Sequence, residues 1–164
     1  MIIIKWLFIV VAFIVIAGIV AGQLGLLKGT SPTDLGVHEG KLKPPSETPN
    51  SVSSQASLYP GHPQGTYASI APLSLKGEGD AAATLARIGA IIESMDGAEI
   101  VRSEPGYLYA RFTTRLMKYV DDTELWFDPA AGVIQVRSST RLGSGDLGVN
   151  RKRIEFIRQE LGSS

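Results

Sequence analysis

Between Trp6 and Gly22 the chain carries no charged and no strongly polar side chain, and with Gln23 tolerated the apolar run extends to Leu27. About 22 residues at the helical rise span roughly 33 Å, one hydrocarbon core. In lipid, a helix is the form in which such a segment satisfies its own backbone groups. Trp6 stands where an interfacial aromatic belongs, and Lys5 and Lys28 bracket the run as snorkelling anchors. Two other readings compete. A cleaved signal peptide would have a shorter apolar region, and Val20 and Gly22 fit its small-residue rule only loosely. A buried soluble helix is the second. The expectation is a retained single-pass anchor over residues 1–27. A short leading tail favours an N-terminus in the cytoplasm and a domain outside, facing the periplasm from the inner membrane, although Lys28, Lys41 and Lys43 count the other way.

The remaining length suits one domain. Lys plus Arg and Asp plus Glu both number 16, so the net charge is zero and no long-range attraction to nucleic acid is expected. The chain has no cysteine, which removes disulfides, thiolate metal sites and a thiol nucleophile. His38 and His62 stand far apart without ligand spacing, so no metal site and no cofactor is expected.

Seven of the nine prolines lie between Pro32 and Pro72, which argues against regular helix or sheet over about 28–79. Residues 28–47 read as a linker and 48–164 as the domain. Val52, Leu58, Tyr59, Tyr67, Ile70 and Leu73 are too apolar for a spacer, so the stretch after about residue 48 is expected to lie extended against the domain. From Asp80, a plausible N-cap, Leu85, Ile88, Ile91, Ile92 and Met95 recur at helical spacing. Strand patterns follow at about 99–103, 107–114, 118–127 and 133–140, separated by turn residues at 104–106 and 128–132. A last helix is expected over about 150–161, with Ile154, Ile157 and Leu161 on one side. The sum is an α+β fold: a four-stranded antiparallel meander flanked by an N-terminal and a C-terminal helix, behind one transmembrane helix.

Strand alternation sorts the two faces of the meander. Leu108, Ala110, Phe112, Leu125, Phe127, Ile134 and Val136 should meet the helices. The other face then carries Tyr107, Tyr109, Arg111, Asp122, Glu124, Trp126, Gln135 and Arg137, either as a solvated ion-paired surface or as a polar binding groove roofed by the Pro-rich segment. Asp121 points to the helix side, buried or hydrogen-bonded there. Asp122 and Glu124 lie two apart on one strand, roughly 7 Å, a span compatible with acid/base work, but neighbouring arginines would keep both ionised. Gly143-Ser144-Gly145-Asp146-Leu147-Gly148 matches a dinucleotide-binding spacing, yet no second parallel strand can follow it and Asp146 would repel a pyrophosphate. The glycines read instead as a tight positive-φ turn. Arg141, Arg151, Lys152 and Arg153 cluster around it, either as solvated helix charge or as a seat for an anionic headgroup.

Four blocks in order carry a resemblance: residues 42–55 (LKPPSETPNSVSSQ), 119–124 (YVDDTE), 136–143 (VRSSTRLG) and 146–154 (DLGVNRKRI). Together they resemble the family known as domain of unknown function 1499, small domains often set behind a membrane segment and without an established activity. Relatives commonly carry Cys where this chain has Pro45 and Ser51. Loss of both fits a dispensable structural bridge better than a catalytic thiol. The resemblance implies one polar surface built from Asn50, Ser53, Ser54, Gln55, Asp121, Asp122, Glu124, Arg137, Arg141, Asp146, Asn150 and Arg151. The leading expectation is a non-enzymatic, membrane-tethered domain whose partner is an envelope protein, a glycan or a lipid headgroup. The alternative is an envelope hydrolase using Asp122 or Glu124 with Arg137. A third reading has Asp121, Asp122, Arg137, Arg141 and Asn150 simply knitting strand ends to the last helix.

Overall fold

The computed structural model describes residues 2–75 and 80–163. Met1, Ser164 and the end of the proline-rich stretch, 76–79, lie outside the described residues. The apolar run forms helix α1 (Ile2–Gln23), long and apolar enough to cross a membrane, with none of its apolar window buried. Only its end touches the domain. Gly22 lies flush against the Met117 backbone, and Gln23 Nε2 donates to Leu116 O at 3.1 Å.

Helix α3 (Ala81–Glu93) starts where Asp80 accepts from Ala83 N at 3.0 Å, as its N-cap pattern predicts, and buries Leu85, Ile88 and Ile92. The meander follows as β3 (Ala98–Glu104), β4 (Tyr107–Thr113), β5 (Val120–Asp128) and β6 (Val133–Thr140), all antiparallel neighbours. Helix α4 (Val149–Gly162) returns beside α3, burying Ile154, Ile157 and Leu161. The helix-facing side chains Leu108, Ala110, Phe112, Leu125, Ile134 and Val136 form the core with them, as alternation predicts.

Among the described residues the sheet has six strands, not the expected four. Strands β1 (Ser51–Ser53) and β2 (Leu73–Ser74) both pair antiparallel with the outer side of β6. The proline-rich stretch also holds a 3-10 turn (Ala56–Leu58) and the short helix α2 (Gly65–Ala68). The expectation of no regular structure here is therefore corrected. Proline forbids a ladder bond only at its own nitrogen, and these strands lie between prolines: Pro49 precedes β1 and Pro72 directly precedes β2. The edge of β6 would otherwise leave a row of unpaired backbone groups. Val52, Ile70 and Leu73 join the core, which explains their apolar character.

Residues 30–47 cross the opposite face of the sheet as an irregular strap. Leu42 is buried there and its N–H donates to Gln55 Oε1 at 2.8 Å. The layers are thus helices, sheet and strap.

Gly97 sits at φ +72° between α3 and β3, and an added Cβ would overlap the Thr113 carbonyl. Gly132 has the same hand, φ +65°, in open space. Gly132→Ala should cost about 1–3 kcal/mol from the left-handed backbone alone, and Gly97→Ala clearly more. Urea denaturation of the two variants measures the difference.

Candidate functional site

The strap and the outer sheet face enclose a row of polar side chains aligned by register: Tyr109 opposite Glu124 opposite Arg137 opposite Ser53, with Arg111, Asp122 and Ser139 in the next row. Glu124 is wholly buried. Its Oε1 accepts from Gly36 N at 2.7 Å and from the Tyr107 hydroxyl at 2.8 Å. Its Oε2 has no hydrogen-bond partner among the described residues, and Arg137 Nη1 stands 3.8 Å away. Burial raises the Glu124 carboxyl above its ordinary value. The Gly36 N–H, the Arg137 charge and the Tyr107 hydroxyl pull the other way and do not overcome it. Burial also works against the Arg137 charge.

Asp122 is held differently. Arg141 grips it in a fork, Nε to Oδ2 and Nη2 to Oδ1 at 2.8 Å each, and the Tyr109 hydroxyl donates to Oδ1 at 2.6 Å. Burial and this carboxylate push Tyr109 up to about 12.

Between the strap and this row opens a cleft of about 700 Å³, lined by Asp34, Lys43, Pro44, Asp122, Arg137 and Arg141 among others. Lys43 and Asp34 pair across its mouth at 2.7 Å. Arg137 donates one hydrogen bond among the described residues, from Nε to Pro44 O at 3.1 Å. It is the cleft cation whose partner is only a distant, buried carboxyl. Ser46 N–H donates to Ser51 Oγ at 2.8 Å. Ser51 of β1 is thereby tied to the strap at the residue that follows Pro45.

Not all of the twelve expected residues meet in this place. Asp122, Glu124, Arg137, Arg141 and Ser53 do. Gln55 anchors the strap from below, accepting from Leu42 N and donating from Nε2 to Gly40 O at 3.1 Å, and Ser54 bonds Gln135 Oε1 at 2.7 Å. Asn50, Asp121, Asp146, Asn150 and Arg151 belong to a second cluster on the helix side. There Arg153 Nη2 bonds Asp121 Oδ2 at 2.6 Å and its guanidinium lies over the Phe112 ring. Asn150, wholly buried, accepts on Oδ1 from Ser138 and Arg153 and donates from Nδ2 to Asn50 O, Thr140 Oγ1 and Asp146 Oδ2.

The glycine-rich loop is a cap. Asp146 accepts from Gly148 N and Asn150 N at the start of α4, with Gly143 and Gly148 at positive φ. Burial alone would raise the Asp146 carboxyl, but bonds from Tyr67, Gly148 and Asn150 outweigh it and hold it low. Arg151 donates to Tyr67 O and Ser69 O. The basic residues at this turn are thus mostly engaged within the protein, Lys152 excepted among those named. No group of three metal-ligating side chains occurs among the described residues.

Tyr107, Tyr109 and Gly36, which sequence reasoning left out of the site, hold its carboxylates. The tyrosines were legible as outer-face strand residues, whereas the Gly36 N–H carried no signal. Arg153 shared a helical stripe with Ile154 and Ile157, which was the cue to its burial.

This is an α+β module with a strap-covered polar face. The chain belongs to the protein family of unknown function DUF1499, whose model matches residues 41–161. No curated protein and no solved structure matches the chain.

Because folding raises the Glu124 pKa, the folded chain binds this proton more tightly than the unfolded chain does. Its contribution favours folding at acid pH and is lost as pH climbs through the ordinary glutamate range and beyond. Relative to wild type, Glu124→Gln should therefore gain stability as pH rises above about 4.5, read from denaturation midpoints across a pH series. Asn150→Ala should cost roughly 1–3 kcal/mol for each polar group it leaves unpaired, measured by urea unfolding.

Proposed function

We propose that this protein is a membrane-tethered, extracytoplasmic binding domain, without catalysis, that takes a small anionic polar ligand in the strap-covered cleft. The ligand class is a sugar acid or a phosphate-bearing headgroup. The observation that carries the reading is Arg137: buried, facing the cleft, with one hydrogen bond and a carboxyl 3.8 Å away whose ionisation burial opposes. A fork donor of this kind suits a carboxylate or phosphate. The other charges at the cleft wall, Lys43–Asp34 and Arg141–Asp122, are already paired and set its outline. The tether is α1, none of whose apolar window is buried. Lys5, near the N-terminal end of α1, supports placing the domain outside, in the periplasm of a cell with an inner membrane.

The alternative, an envelope hydrolase using Asp122 or Glu124 with Arg137, draws on the raised pKa of Glu124, a property of general acids. Against it stands the packing. Glu124 is sealed beneath Gly36 and Tyr107, and Asp122 is fixed in the grip of Arg141. Both carboxyls are thus engaged by the protein's own donors.

Thermal shift of the detergent-solubilised full chain against inorganic phosphate, glycerol phosphate and a hexuronate tests the reading. At least one should raise the midpoint in wild type and leave Arg137→Met unmoved. An unchanged midpoint with all three, or an equal rise in Arg137→Met, would sink it. Arg137→Ala should also lose about 1–3 kcal/mol, since it strips a partner from Pro44 O and from buried Glu124.

A further inference from the structure

The meander sorts the loops of the domain to two ends. The turns at 105–106 and 129–132 lie at one end. The 94–97 turn, the 114–119 loop and the 141–148 loop lie at the other, where α1 joins. This second end carries unusual surface. Leu147 is 95% exposed and held at φ +51°, a left-handed backbone that an aliphatic residue rarely takes. Leu116 is 59% exposed, and Leu142, Val149 and Phe156 are exposed nearby. Leu24 and Leu26 extend the same surface beyond the last turn of α1.

The 114–119 loop is also fastened at a definite height along α1. Met117 backbone covers Gly22, and its Cε lies 2.9 Å from where a Gly18 Cβ would stand. Gly18 is four residues further into the apolar helix, about 6 Å along its axis. The loop therefore descends beside the last turn of the apolar segment instead of stopping above it.

Around this apolar tip stand Lys28, Arg115, Lys118 and Lys152, none in an ion pair among the described residues. Glu93 and Asp96 are the acidic residues at this end outside an ion pair among the described residues, and Glu99 is taken up by Arg111 at 2.9 Å. Lys28, Lys118 and Arg111 also line a cleft of about 460 Å³ between the end of α1 and the sheet. Apolar side chains ringed by cations match the interface of an anionic bilayer, where the aliphatic tips enter the acyl boundary and the basic groups meet headgroup phosphates.

We infer that this end of the domain is a lipid-contacting surface: the 114–118 loop and Leu147 seat in the bilayer interface, and Lys28, Arg115, Lys118 and Lys152 reach anionic phospholipid headgroups. The inference rests on the reading of α1 as a span and adds to it. The domain does not swing on a flexible stalk but lies against the membrane in one orientation.

The chain has no cysteine, so single introduced thiols report cleanly. Full-length Leu116→Cys, Leu147→Cys and Ala131→Cys, each labelled with bimane, are reconstituted in phosphatidylcholine–phosphatidylglycerol vesicles containing brominated acyl chains. Labels at 116 and 147 should be quenched, and the label at 131, at the far end, should not. In vesicles of phosphatidylcholine alone, quenching at 147 should fall at least about twofold, while that at 116, fastened to α1, persists. Protein that withstands an alkaline wash yet shows no more quenching at 116 and 147 than at 131 overturns this inference and spares the tether. Release by the wash overturns both. Quenching at 147 that ignores phosphatidylglycerol overturns the headgroup contact.

Discussion

A carboxyl group buried beneath backbone is what the outer half of this molecule is organised around. Glu124 projects from a central strand into a layer that closes it off from the protein surface. Two donors, the Gly36 N–H and the Tyr107 hydroxyl, meet one of its oxygens. A buried carboxyl without donors would be costly, so the strap has one position in which the sheet face beneath it is tolerable. From that position the rest follows. Pro44 O meets Arg137, Ser46 meets Ser51 and Ser139, and the cleft opens where the strap bridges the gap between Asp34 and Lys43.

The helix side solves a different problem with the same residue types. Asp121, Arg153, Asn150 and Asp146 form a closed network in which the main polar groups find partners at 2.6–3.1 Å. It locks the first turn of α4 to the ends of β5 and β6. Such a network specifies one arrangement of helix on sheet and engages Arg153 through Nη1 and Nη2 and Asn150 through Nδ2, leaving Asn50 Oδ1 at its margin without a hydrogen-bond partner among the described residues. The outer face leaves Glu124 Oε2 orphaned and Arg137 underused. The underused cation, which has no counterpart in the helix-side network, separates scaffold from candidate site better than residue type does.

Much of the fold was legible because its signals are periodic. The 3.6-residue stripe of α3 and the two-residue alternation of β4, β5 and β6 need only local sequence, and Asp80 announced the start of a helix. Strands β1 and β2 were not legible: they are three and two residues long, and their pairing is dictated by a partner some sixty to ninety positions away. The site was half legible. Alternation placed Asp122, Glu124 and Arg137 together and turned Asp121 to the other side. It could not say that Asn50, Asp146, Asn150 and Arg151 answer to a different cluster, since that depends on how the end of β6 wraps into α4.

With β1 and β2 covering β6, one long margin of the sheet stays open, along β3. Copies held by α1 in a bilayer would share a plane, where collisions between margins are far more frequent than in solution. This margin is poorly suited to templating. Its register slips between Ile100 and Arg102, which breaks the row of free backbone groups, and Glu99, Arg102 and Glu104 put alternating charge along it. A crowded two-dimensional array of these domains would thus resist growing sheet on sheet, keeping each polar cleft separate from its neighbours.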